Sequence, residues 1–375
     1  MMQYINNATL PCTIAMLLFG AVVGSFLNAC IYRLPRGISL LNPRRSFCPS
    51  CDRSLRWFEN IPVLSWLGLL GRCLGCRERI SPRYPFIELL TALLFAVLWW
   101  KWGWPLAVVY AVFFALLIAA TFIDFDFFII PDSITIGGVG AGVVLSTLVP
   151  YLHGVNSWWM GALASLGGAS VGFCVLWMVV ELGKVAFGRK RHSFDEALDF
   201  AWQRDGESAV IIVGEDSLAW EEIFSRESDR LVVTGEFVLE GICEEAEESN
   251  GADNSAAANN VISSLIFFHD RVVCGDKEIA LETLESVTGK VSEITIPREA
   301  MGFGDVKFLA AIGAFLGWHA ILFVIFAASV VGCFAALAGM FISRDKAGVR
   351  VPFGPFLALG AVLWVLWGHG LRLLS

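Results

Sequence analysis

The sequence predicts an all-α polytopic membrane protein of about eight transmembrane helices with a soluble, acidic α+β insert. Three observations predict it. Hydrophobic residues make up 56% of the 375 residues and charged residues only 17%, against roughly 25% charged in soluble proteins. The apolar residues gather in runs near the roughly 20 that a helix needs to cross the hydrocarbon core. The formal net charge of −8 also divides sharply: residues 192–297 hold 24 acids and 6 bases, net −18, and the remainder is net +10. This composition excludes a disordered, collagen-like or small disulfide-stapled chain.

The apolar runs lie at about 11–33, 86–101, 104–124, 128–150, 158–183, 303–319, 320–343 and 352–373. The first is long and carries Asn28, which allows a cleaved signal peptide, but an apolar run of this length with no basic residue before it and Arg33 after it fits a retained span better. Basic residues alternate between loops. Arg33, Arg36, Arg44, Arg45, Arg53, Arg56, Arg72, Arg77, Arg79 and Arg83 follow the first run; Lys184, Arg189, Lys190 and Arg191 follow the fifth; Arg344, Lys346 and Arg350 follow the seventh. Basic loops stay cytoplasmic, so both termini are expected outside, with Arg372 against the trend. The turn between the third and fourth runs has acids and no bases and breaks the pattern. Trp99, Trp100, Trp102, Trp104, Trp158, Trp159 and Trp318 suit the interfacial aromatic belt.

The loop after the first run carries Cys48-Pro49-Ser50-Cys51 and Cys73-Leu74-Gly75-Cys76. Two such pairs match a tetrahedral zinc site, each pair gripping the metal from a short knuckle. The spacer of 21 residues slightly exceeds the usual range. Disulfides or free thiols are the alternative, and a reducing cytoplasmic side disfavours disulfides. Cys12, Cys30, Cys174 and Cys333 read as small apolar fillers of the spans, and Cys243 and Cys274 have no readable role.

Acids in or beside spans are expensive and mark functional sites. Asp124, Asp126 and Asp132 stand where the third run turns into the fourth, and Asp305 lies in Met301-Gly302-Phe303-Gly304-Asp305-Val306-Lys307. The alternating topology brings Asp124 and Asp305 to one membrane edge. Two nearby carboxylates share one proton, because like charges resist ionising together. The ionised one can take a proton from water while the other hydrogen-bonds a scissile carbonyl, which is aspartyl-protease chemistry. Gly302 and Gly304 lack Cβ, so backbone or substrate can approach. The plainer reading, acids marking helix starts, suits Asp132 after Pro131 well and Asp126 tolerably. Lys307 either tunes the charge of the site or anchors the chain at the membrane surface.

The insert reads as strands at 209–213, 230–233, 265–268 and 272–273 and as short helices at Phe194–Trp202, Leu218–Arg226 and Lys277–Ser286. Glu244–Asn260 reads as a flexible acidic loop. His192 and His269 are isolated. The insert's charge either attracts a basic peptide to the catalytic face or serves only solubility or regulation.

Together these stretches resemble the prepilin leader peptidase family, the type IV prepilin peptidases of pilus and type II secretion systems. The resemblance rests on Gly24-Ser25-Phe26-Leu27-Asn28 with Arg33-Leu34-Pro35, the cysteine pairs, Glu59-Asn60-Ile61-Pro62, Arg83-Tyr84-Pro85 with Glu88, Ile123-Asp124 with Pro131-Asp132, the Gly302–Lys307 motif, and Pro352-Phe353-Gly354-Pro355. It covers roughly 20–186 and 297–372. It implies an inner-membrane aspartyl endopeptidase that cuts a short basic leader after a Gly on the cytoplasmic side of prepilins or pseudopilins. Many members then N-methylate the exposed residue with S-adenosylmethionine. The family's first catalytic Asp stands seven residues before the Pro, which selects Asp124 over Asp126; the second is Asp305; structural zinc maps onto Cys48, Cys51, Cys73 and Cys76. Gly302, Gly304 and Lys307 support the site, and no glycine-rich loop marks the methyl-donor contacts. Phe125-Asp126-Phe127-Phe128 departs from the family's more polar stretch, and the insert replaces a short loop.

The expected organisation is a first span at 1–33, a four-Cys domain at 34–85, spans and the first catalytic Asp at 86–186, the insert at 187–297, and the second motif with the last spans at 298–375. The expected partners are prepilin or pseudopilin substrates and the lipid bilayer, with no nucleic acid. A peptidase without methyltransferase activity remains an alternative, as does, more remotely, an ion-coupled transporter or zinc-stabilised membrane receptor.

Overall fold

The computed structural model describes residues 9–42, 45–187, 189–205, 208–214, 216–220, 230–240, 262–268, 270–274, 277–281, 284, 286–297, 302–342 and 352–368. The chain forms two compact units, Met1–Val179 with Met301–Ser375, and Val180–Ala300. In chain order the helices are α1 (Thr9–Arg33), the short α2 (Leu64–Gly68), α3 (Arg83–Trp102), α4 (Leu106–Phe127), α5 (Asp132–Leu148), α6 (Trp158–Phe187), α7 (Phe303–Leu316), α8 (Trp318–Ile342) and α9 (Gly354–Trp367). Their boundaries follow from local chemistry. Pro82, Pro105 and Pro131 stand at the N-caps of α3, α4 and α5, where a missing N–H is harmless. Gly317 ends α7 at φ +77°, a backbone conformation that glycine adopts freely.

Among the described residues, five helices are long and apolar enough to cross a membrane: Leu10–Arg33, Arg83–Trp102, Leu106–Phe127, Trp158–Gly183 and Trp318–Gly339. The other three of the eight expected spans are not confirmed. Apolar runs stand at the other three expected places, but α5 has 17 residues and α7 and α9 have 14 each. At 1.5 Å per residue a 14-residue helix rises about 21 Å, short of the roughly 30 Å hydrocarbon core. Hydropathy counted the flanking turns, such as Phe128–Pro131 and Gly317, as helix.

Small residues hold the helical unit together. An ideal Cβ on Gly24 would stand 2.7 Å from Glu88 Cα, and one on Gly20 2.8 Å from Ala92 Cα, so α1 and α3 touch backbone to backbone along a Gly-x₃-Gly stripe. The same device surrounds α7. Gly168 and Gly313 face each other so closely that a Cβ on either would strike the other's carbonyl oxygen, and a Cβ on Gly172 would stand 2.6 Å from Leu309 O. Ser165 Oγ donates to Ala314 O at 2.8 Å. From the other side, a Cβ on Gly142 of α5 would stand 2.7 Å from Ala314 Cβ. As a result Asp305, Val306 and every residue from Phe308 to Leu316 are buried.

The second unit is an eight-stranded antiparallel sheet. Its strands are β1 (Arg189–Asp205), β2 (Ser208–Val213), β3 (Asp216–Ala219), β4 (Leu231–Glu240), β5 (Ile262–Phe267), β6 (Arg271–Cys274), β7 (Lys277–Ala280) and β8 (Ser286–Pro297). The order across the sheet is β3-β2-β1-β8-β4-β5-β6-β7. Phe200, Trp202, Ile211, Val233, Phe237 and Phe267 form the centre of its core. The expected strands are present. The expected helices Phe194–Trp202 and Lys277–Ser286 are not: the first lies in β1, and the second supplies β7 and the start of β8. Phe194, Leu198 and Trp202 are spaced four apart and read as a helix face. A bulge between Ser193 and Leu198 breaks that spacing, and Phe200 and Trp202 then alternate inward. Strand pairing on both sides outweighs local propensity here. The described residues therefore form a sheet rather than an α+β module. Most of the expected helix Leu218–Arg226, the loop Glu244–Asn260, Cys243, His269, Arg298–Met301, and Arg44, Arg344, Lys346, Arg350 and Arg372 lie outside the described residues.

Replacing Gly168 by Leu is expected to lower the stability of the detergent-solubilised protein by about 1–3 kcal/mol, seen as a depressed Tm. Gly167→Leu, where an added Cβ meets nothing within 4 Å, is expected to leave Tm within a degree or two.

Candidate active site and metal cluster

Asp124 sits in the last turn of α4, 5% exposed. The helix ends four residues later, where Phe128 adopts a left-handed φ of +55° and its N–H bonds Asp124 O at 3.0 Å. A non-glycine residue costs about 1–3 kcal/mol in that region, so the surrounding packing must hold the turn. The turn sends Ile129 and Ile130 back over the helix end. Phe125 and Phe128, where the sequence departs from the family's more polar pattern, are both half exposed.

The carboxylate of Asp124 is fixed from a distant part of the chain. The N–H of Gly354, the first residue of α9, donates to Asp124 Oδ2 at 3.0 Å. A helix N-terminus favours a negative group. A Cβ on Gly354 would stand 2.6 Å from Asp124 Oδ2 and 3.0 Å from Ile130 Cδ1, so only glycine admits this contact. Asp305 lies in the first turn of α7, 8% exposed. Ile130 links the two sides: a Cβ on Gly304 would meet its backbone N at 3.5 Å. Among the described residues, a Cβ on Gly302 would meet Asp305 Oδ2 alone, at 3.8 Å.

The neighbouring acids are occupied. Asp126 receives both Nη1 contacts of Arg83, at 2.7 and 2.6 Å, while Arg83 Nη2 donates to Phe122 O at 3.0 Å. Asp132, at the start of α5, accepts from Lys307 Nζ at 2.6 Å. Lys307 therefore ties the first turns of α5 and α7 together and does not contact the buried pair. These pairings were not legible in sequence. The signals were present in Arg83 after Ser81-Pro82 and in Gly354 between two prolines, but nothing in the spacing says which residue each one meets.

The four cysteines form a cluster in which all sulfurs lie within 4.8 Å of one another, enough to hold a metal ion. Cys48 Sγ and Cys76 Sγ are 3.8 Å apart, which is the edge of a tetrahedron built with metal–sulfur bonds of about 2.3 Å. The two knuckles repeat one geometry. Cys48 N bonds Arg53 O and Asp52 N bonds Cys48 O; likewise Cys73 N bonds Glu78 O and Arg77 N bonds Cys73 O. Asp52 and Arg77, the equivalent positions, are both left-handed at φ +51° and +62°. The backbone N–H of Cys76 brings the Cys73 thiol down to about 6, against the opposing effect of burial. Arg53 closes the loop through Glu59 at 2.6 Å, and that bond holds the Glu59 carboxyl below its usual range. Arg33, counted among the basic residues after the first run, is buried and donates to the carbonyls of Ser39 at 3.2 Å and Arg45 at 2.9 Å.

Comparison with known proteins follows this geometry. Residues 18–102 match the bacterial peptidase A24 N-terminal domain. Residues 111–189 and 252–337 match the type IV leader peptidase family. The chain belongs to that family. A prepilin leader peptidase/N-methyltransferase of Myxococcus xanthus is 42% identical over 176 residues, 47% of this chain and 50% of its own length. The chain thus spans about half of that relative. One of Aeromonas hydrophila is 27% identical over 385 residues, 94% of this chain and 90% of its own. One of Neisseria gonorrhoeae is 32% identical over 195 residues, 45% of this chain and 65% of its own. No solved structure matches. The activity is that of a prepilin leader peptidase.

Gly354→Ala is expected to displace the Asp124 carboxylate and lower leader cleavage by tenfold or more, with the chromatographic profile and Tm of the protein little changed. A leader-cleavage assay in detergent measures it.

Proposed function

We propose that Asp124 and Asp305 are the catalytic pair of a membrane aspartyl endopeptidase acting on type IV prepilins or type II secretion pseudopilins. Cleavage takes place at the cytoplasmic face of the inner membrane, and the same chain methylates the new N-terminus. One observation supports the pair above all. Two buried carboxylates from helices far apart in sequence flank one residue, Ile130, which lies against Gly354 beside Asp124 and against Gly304 beside Asp305, while Asp126 and Asp132 nearby are each paired with a base.

The chemistry divides between the two. The Gly354 N–H occupies Oδ2 of Asp124, leaving its other oxygen to take a proton from water. The water oxygen adds to the scissile carbonyl as the acid form of the partner donates a hydrogen bond to the carbonyl oxygen. The tetrahedral intermediate collapses, the C–N bond breaks, and the leaving amine takes the proton. Lys307 and Asp132 keep the helix starts in register, and Gly302, which lacks a Cβ, lets the extended substrate approach. The four cysteines hold structural zinc, whose role is to close a segment with little core of its own. S-adenosylmethionine, when bound, supplies an activated methyl group for the exposed amine. The domain organisation follows: the first span, residues 34–85 as the four-Cys domain, 86–186 and 298–375 carrying one catalytic Asp each, and the insert 187–297 on the cytoplasmic side.

Asp124→Asn and Asp305→Asn are each expected to lower cleavage of a purified prepilin at least thousandfold, within the range set by general acid–base catalysis. Asp126→Asn is expected to stay within tenfold of the parent. Unimpaired cleavage by either of the first two variants contradicts the assignment. Metal analysis of the purified protein is expected to find about one zinc per chain, and near zero in the Cys73→Ser, Cys76→Ser double variant.

A further inference from the structure

The stretch between the two cysteine pairs carries a strip of exposed apolar side chains. Ile61, Leu64, Leu67 and Leu70 recur at every third position. They run through α2 and the hydrogen-bonded turns at its ends: Ser65 N bonds Ile61 O, Leu67 N bonds Val63 O and Leu70 N bonds Leu67 O. Residues three apart on such turns are neighbours, so each stands next to the following one. Leu64 is 67% exposed, Leu67 56% and Leu70 84%, and Trp57 shortly before them is 81% exposed. The side turned toward the protein is held in place, because Trp66 Nε1 donates to Ile80 O at 3.0 Å. Contiguous exposed apolar surface of this kind marks a protein or membrane contact.

One hydrogen bond sets the depth of the strip. Val63, just before α2, donates its N–H to Glu88 Oε2 at 2.7 Å. Glu88 stands five residues beyond Arg83, the first residue of α3, which is about 8 Å along the helix at 1.5 Å per residue. α3 is long and apolar enough to cross a membrane. Its Phe86 and Leu89, on either side of Glu88 in sequence, are exposed. α2 therefore begins beside a part of α3 that already presents apolar side chains outward. The charges agree with this depth. Residues 33–83 hold ten Arg and three acids, and Arg56 and Arg72, which bracket the strip, are both exposed. An apolar side with a Trp and flanking basic residues is the composition of an element that lies in the membrane interface, where anionic headgroups attract Arg.

We propose that Trp57 and the Ile61–Leu70 strip insert into the acyl edge of the lipid leaflet at this end of the bundle, with the flanking arginines on anionic headgroups. The element is not a span. The chain enters it from the end of α1 at Arg33 and leaves it into the start of α3 at Arg83. A bilayer explains the depth, the apolar side and the arginines together, whereas a protein partner explains only the apolar side. The four-cysteine segment is then held by lipid as well as by its bond to Glu88.

The test uses the full chain reconstituted in vesicles of phosphatidylcholine and phosphatidylglycerol that contain a phospholipid with a diazirine in its acyl chain. Light expels dinitrogen from the diazirine, and the carbene inserts into the nearest side chain. Trypsin cuts after Arg56 and Arg72, so the whole strip is released as the peptide 57–72. Mass spectrometry is expected to find several-fold more lipid adduct on this peptide than on the peptide 192–204 from β1. The parent chain gives this result, so it does not depend on a variant folding. The Leu67→Glu, Leu70→Glu double variant is expected to lose most of the adduct from 57–72 while the α3 peptide 84–101 keeps its own. Adduct on 57–72 no greater than on 192–204 overturns the proposal, and so does full adduct on a folded double variant. Loss of the adduct when prepilin is added assigns the strip to the substrate and also overturns it. Equal adduct in vesicles of phosphatidylcholine alone overturns the part given to the arginines.

Discussion

Backbone contact between Gly168 and Gly313 decides where Asp305 stands. α7 is only 14 residues long and begins with the residues that carry the second buried carboxylate. Such a helix has no great length of apolar surface to anchor it, and in a bilayer the lipid offers no hydrophobic drive toward its neighbours. Its position comes from close approach: glycines of α5 and α6 admit it to van der Waals distance on two sides, and Ser165 bonds its backbone. With α7 fixed, Gly304 beside Asp305 lies against Ile130, just past the end of α4, and the first turn of α9 supplies the N–H that fixes Asp124. A third glycine, Gly354, makes that last contact possible. Three close approaches, each limited by the absence of a methyl group, thus precede any chemistry.

Much of this was legible in the residues, for identifiable reasons. The helices stand where the apolar runs stand, because a 20-residue run without charge has few other folds. The cysteine pairs come together because two-residue knuckles at that spacing close on one point. Asp124 and Asp305 could be singled out because a carboxylate near a membrane is expensive. Three of the eight expected crossings are not confirmed. α5, α7 and α9 are apolar enough to resemble spans, but turns at Phe128, Gly317 and Phe353 shorten them, and hydropathy does not register a turn. The insert misled in another way: the four-residue spacing of Phe194, Leu198 and Trp202 is helical, and a bulge in β1 converts it into strand alternation.

The pairings around the site were the least legible part. Asp126 and Asp124 are chemically identical and two residues apart, and what separates them is that Arg83 reaches one and Gly354 the other. Long-range partners depend on the helix crossings, which a single sequence does not encode locally. Arg83 also joins two places: it begins the helix that carries Glu88, and it grips the last turn of α4, which carries Asp124. The four-cysteine segment, lying just before α3, is thereby continuous with the end of the bundle that holds Asp124.

The central claim is that Asp124 and Asp305 act as one unit. The most direct test is leader cleavage by the Asp124→Asn, Asp305→Asn double variant, compared with each single variant under single-turnover conditions. Residues that work as a unit lose their effect together, so the double variant should be no slower than the slower single variant. Losses that instead multiply would show two carboxylates acting independently and would contradict the account.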